Sequence, residues 1–72
     1  MTANQREAIR NSLLKVIAST HLSQRRVARL VGVSYETINR ILRCDDMMVS
    51  DRMWNKVKNA LDDIIEAILI KP

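Results

Sequence analysis

Apolar residues recur along this chain three or four positions apart, the spacing of one face of a helix, rather than at the alternate positions of a half-buried strand. The first run is Ala8 or Ile9, then Leu13, Val16 and Ile17. It predicts a helix from about Asn4 to Thr20, with Arg6, Glu7, Arg10 and Lys15 outside and Glu7–Arg10 as a minor surface pair. His21, Leu22 and Ser23 form the connection, with Leu22 placed to staple against Val27 or Ala28. Val27, Ala28 and Val31 make a second stripe, and Ile38, Ile41 and Leu42 a third. Arg43-Cys44-Asp45-Asp46 ends that third helix, and Met47 and Met48 are expected to pack from the following loop onto the core. Ser50 then caps a helix with Asp51 in its first turn and Met53 or Trp54, Val57 and Leu61 inside. The segment 51–70 reads as one long helix or as two with a break near Asp62; spacing leaves both open. The expected fold class is all-α, four or five helices in a single domain over residues 1–72.

Residues 23–43 carry the most information. Ser23 is a candidate cap for the helix that contains Val27, Ala28 and Val31. Ala28 is small enough to let a second helix cross close by. Gly32, the only glycine in the chain, follows directly, where a left-handed residue commonly ends a helix. Val33 plugs the turn and Ser34 caps the next helix. With Ile38, Ile41 and Leu42 turned inward, Tyr35, Glu36, Asn39, Arg40 and Arg43 are left on the other face. That face is polar, long-armed and rich in the residue types that read base edges.

Val27-Ala28-Arg29-Leu30-Val31-Gly32-Val33-Ser34-Tyr35-Glu36-Thr37-Ile38-Asn39-Arg40-Ile41-Leu42 resembles the helix-turn-helix of phage repressors, Cro-like regulators and the lac-repressor family. About twenty helix-like residues precede the motif, which is the phage repressor and Cro arrangement. Small lysogeny-switch proteins, including the modulator-of-repression type, are similar in size and layout. The resemblance implies a lambda-repressor-like bundle whose second motif helix enters the DNA major groove. It also implies a phosphate contact for Gln24 at the start of the first motif helix.

Charge supports a polyanionic partner. Residues 1–43 hold eight Lys and Arg against two Asp and Glu, a net of +6, whereas residues 44–72 carry a net of −2. The basic half contains the motif. The rest of the composition narrows the classes. One cysteine, Cys44, allows no internal disulfide and no cysteine-based zinc site, and suits a reducing cytoplasm. The first residues lack the apolar core of a signal peptide, and no apolar run is long enough for a membrane span. His21 stands alone, so no metal set forms around it, and Asp45-Asp46 and Asp62-Asp63 lack the spacing of a calcium loop. No nucleophile–base constellation or glycine-rich phosphate loop is present, so neither an enzyme nor a cofactor is expected. With no further domain in the sequence, no small-molecule effector site is expected either.

The candidate DNA contacts are therefore Gln24, Arg25, Ser34, Tyr35, Glu36, Asn39, Arg40 and Arg43. Tyr35, Asn39 and Arg40 are the base-reading group; Arg25 and Arg43 are placed for phosphates; Ser34 caps first and touches phosphate second. Glu36 either accepts from cytosine or pairs with Arg40 four residues on. A second candidate surface is the aliphatic tail Ile64, Ile65, Ile68, Leu69 and Ile70, which cannot all share one buried stripe and so reads as a protein interface. Three functions follow. One is a sequence-specific transcriptional regulator of a phage-type switch that occupies an operator on double-stranded DNA. The alternative is an antagonist that complexes a partner repressor and alters its DNA binding; an antitoxin subunit is a weaker third. A homodimer and a hetero-complex both remain open.

Overall fold

The computed structural model describes the backbone of residues 1–70 and the side chains of residues 1–68. The described residues form four helices and no strand: α1 (Ala3–Thr20), α2 (Gln24–Val31), α3 (Tyr35–Leu42) and α4 (Asp51–Ile70). Each boundary has a local chemical cause. Thr2 and Gln5 start α1 as a reciprocal capping box: the Thr2 hydroxyl accepts the Gln5 N–H at 3.1 Å, and the Thr2 N–H donates to Gln5 Oε1 at 2.9 Å. His21, left-handed at φ 56°, ends the helix by donating its N–H to Ile17 O. Ser23 caps α2 by accepting from the Arg26 N–H at 3.2 Å, and Ser34 caps α3 by accepting from the Thr37 N–H at 3.1 Å. Ser50 does the same for α4 through the Met53 N–H.

Gly32 lies between α2 and α3 at φ 84°, and the N–H groups of Gly32 and Val33 both return to Ala28 O. A side chain added there would meet only the flexible end of Lys56, at 3.4 Å from Cε, so the cost of substitution is in the backbone. Gly32→Val is expected to destabilise the protein by about 1–2 kcal/mol. Thermal melts check this; an unshifted midpoint would contradict the left-handed turn. The end of α3 is built in the same way with a less permissive residue. Cys44 is left-handed at φ 59°, its N–H reaches Ile41 O, and the Asp45 N–H reaches Arg40 O.

The core takes one stripe from every helix. Ile9, Leu13 and Val16 come from α1, and Val27, Ala28 and Val31 from α2. Ile38 and Ile41 come from α3, and Trp54, Val57 and Leu61 from α4. Leu22, Val33, Leu42 and Val49 pack around this cluster. Burial of side chains of this kind is worth about 1.5–3 kcal/mol each. Ala8 is exposed, so Ile9 is the inward residue of the first turns.

Three expectations are corrected or resolved. Segment 51–70 is one unbroken helix, with no break at Asp62. Met47 and Met48 do not pack onto the core: they are 94% and 79% exposed, because Val49 fills the loop's place against the cluster. Arg10 does not point outward or pair with Glu7. Its Nε donates to Ile41 O at 2.8 Å and its NH2 to Asp46 Oδ2 at 3.0 Å, with the side chain 17% exposed. The cation thus sits at the C-terminal end of α3, where the helix dipole favours it.

Candidate functional site

The turn Gly32–Ser34 brings the start of α2 beside the outer face of α3. At this surface two polar side-chain contacts cross from one helix to the other. Arg25 lies over the Tyr35 ring, 4.6 Å from its centroid, a cation–π contact that fixes both groups at the surface. Asn39 Nδ2 donates to Gln24 Oε1 at 3.4 Å. Arg43 NH1 in turn donates to Asn39 Oδ1 at 3.2 Å. Gln24, Asn39 and Arg43 therefore form one hydrogen-bonded row across the α2–α3 surface, with the amide dipoles oriented by the guanidinium at its end.

Glu36 and Arg40 form a second unit on α3. Arg40 NH2 donates to Glu36 Oε1 at 2.7 Å. Of the two pairings open to Glu36 in the sequence, the isolated protein adopts the one with Arg40, where the acidic residue precedes the basic one by a turn. Ser34 is occupied as a cap, its hydroxyl also 2.9 Å from Thr37 Oγ1. Arg43 additionally stands 3.8 Å from Asp45, both groups mostly in solvent.

The eight candidate DNA-contact residues are thus all drawn to the start of α2 and the outer face of α3. Tyr35, Glu36, Ser34, Arg25 and Arg43 are exposed, while Gln24, Asn39 and Arg40 are half-buried. No protein-family model, curated protein or solved structure matches the chain. The chemistry of this surface therefore rests on its own residues: five arginines and one carboxylate within residues 23–43, with hydrogen-bonding amides between them.

Other parts of the surface bear on what the protein does. A groove of about 150 Å³ beside α3 has Thr37, Arg40, Met48 and Met53 among its lining residues. Met48 was missed as a neighbour of this face; its place depends on how the loop after Cys44 turns, which local spacing does not specify. Arg10 was missed as well. It precedes Leu13 by three and Ile17 by seven, so it lies along the edge of the α1 stripe, and that spacing is a signal the sequence does carry.

In the expected protein interface, Ile64 and Ile65 are half-buried against the core and Ile68 is 47% exposed. The Leu69 and Ile70 side chains lie outside the described residues. Among the described residues, no three His, Cys, Asp or Glu groups converge as a metal set, and no helix is long and apolar enough to cross a membrane.

Proposed function

We propose that this protein is a lambda-repressor-like helix-turn-helix regulator that places α3 in the major groove of double-stranded DNA and acts by occupying an operator in a phage-type switch. The observation that carries the reading is the joined surface of α2 and α3. Gln24 and Arg25 at the start of one helix hold Asn39 and Tyr35 on the other, beside Arg40 and Arg43. A groove-reading helix needs this combination: arginine and amide groups for base edges, and cations with a helix start for phosphates. In the mechanism, Gln24, Arg25 and Arg43 contact the phosphate backbone and fix the register of α3. Asn39 and Arg40 then meet base edges, adenine and guanine respectively by their donor patterns. The net of +6 over residues 1–43 draws the duplex to this side.

A salt titration against random duplex DNA tests the reading. Affinity is expected to fall steeply with salt, each neutralised phosphate adding about 0.9 to the slope of log affinity against log salt. Arg40→Ala and Asn39→Ala are expected to erase preference for a selected site, each contact being worth about 1–3 kcal/mol of discrimination, with the fold intact. Unchanged discrimination in both would sink the base-reading assignment.

A second reading has its own observation. Met47 and Met48, in the loop before α4, are exposed apolar side chains, 94% and 79% in solvent, and soft groups of this kind suit a protein partner. On that reading the chain is an antagonist that engages a partner repressor, and it binds no random duplex even at low salt. In either case the protein is expected to work in the cytoplasm, where its partners would be found.

A further inference from the structure

Glu36 is the only carboxylate in residues 23–43, a stretch with five arginines. It is 71% exposed, and an ion pair so open to water contributes little to folding. On a surface meant for a polyanion its charge weakens the general attraction. Two features account for its presence. Side chains on a helix lean toward its N-terminus, so the guanidinium of Arg40 reaches back over the preceding turn. Glu36 stands one turn before it, in the first turn of α3, and takes Arg40 NH2 in a charge-assisted bond of 2.7 Å. The head of Arg40 is thereby held near the start of α3, the end whose residues meet base edges when a helix lies in the major groove. Glu36 takes one proton of Arg40 NH2; the second NH2 proton, beside an N–H of its neighbour, still gives the guanidinium one edge with two parallel donors.

We infer that Glu36 is a positioning residue for sequence recognition: it anchors one side of the Arg40 guanidinium so that the free side presents two donors to N7 and O6 of a guanine. The inference rests on the DNA-binding reading above and adds to it the base pair being read, G·C, and the residue that sets it. Arg40 without Glu36 keeps its charge but has no fixed direction. It would still attract phosphate and would no longer distinguish bases.

The test selects binding sites from randomised duplex DNA with the full chain, Arg40→Ala and Glu36→Ala. Wild type is expected to prefer G·C at one position, and Arg40→Ala to lose that preference. Glu36→Ala is expected to lose it at the same position, by about tenfold or more. Its affinity for random duplex is expected to hold or rise, since a negative charge is gone. Full preference retained in Glu36→Ala, or preference lost at a different base pair from Arg40→Ala, overturns the inference. So does a fall in its affinity for random duplex, which marks general damage to α3, or a wild type that binds DNA without preference. A wild type that binds no duplex at low salt overturns the DNA-binding reading itself; there the unaltered protein fails, so the two failures are told apart.

Discussion

Trp54→Ala is expected to remove most of the protein's stability at room temperature. Trp54 is fully buried and is the largest such side chain in the core. Removing a buried tryptophan ring costs about 3–5 kcal/mol, against about 5–15 kcal/mol for the whole stability of a typical domain. A chain this small lies toward the lower end of that range. Trp54→Phe is expected to behave very differently. Among the described residues the indole Nε1 has no hydrogen-bond partner, and burial of such an N–H carries a desolvation cost of about 1–3 kcal/mol. Phenylalanine removes that N–H while leaving a smaller void, and the net change is expected to stay within about 1 kcal/mol. Urea melts followed by circular dichroism separate the two variants. Equal damage from both would mean that the shape of the indole, rather than buried aromatic volume, holds the core.

Arg10→Met is the second large effect. Arg10 joins α1 to the end of α3 and to the loop beyond it, through Ile41 O and Asp46. The methionine fills similar space but leaves the Asp46 carboxylate, 20% exposed, without its cation. Breaking a buried pair from one side costs about 3–5 kcal/mol; partial access to water reduces the expected loss here to about 2–3 kcal/mol. Asp46→Asn in the Arg10→Met background is expected to cost much less than in wild type, and a double-mutant cycle measures this coupling. Additive losses would show that the two side chains do not depend on each other.

The helices were legible because their signals are local. Ser23, Gly32, Ser34 and Ser50 each act within a few residues of themselves, and each stands at the boundary it marks. The inward stripes of α2 and α3 were legible for the same reason. What escaped was set by contacts distant in sequence. Arg10 looks like any surface arginine until Asp46, thirty-six residues later, comes beside it. Met47 and Met48 look like core residues, because apolar character does not reveal that Val49 takes the inward place. At the candidate site, the sequence supplied the residues and the structure supplied their pairings. Glu36 had two partners open to it on paper, and Gln24 had no partner until the turn at Gly32 brought Asn39 within reach.

Ile41 joins the interior to the α2–α3 surface. Its side chain is wholly buried, while its carbonyl accepts from both Arg10 Nε and the Cys44 N–H. Arg40 precedes it and Arg43 follows by two, so a shift of Ile41 displaces both arginines. Tyr35, Glu36 and Arg43, by contrast, are exposed and can be exchanged without disturbing the interior. The molecule is thereby divided into positions that can diversify and positions that must change in concert. Divergence among related chains is expected to gather at residues 35, 36, 39, 40 and 43, altering the outer face of α3 while the scaffold persists. Arg10, Ile41 and Asp46 are expected to covary or stay fixed, because each supports the same short stretch of backbone.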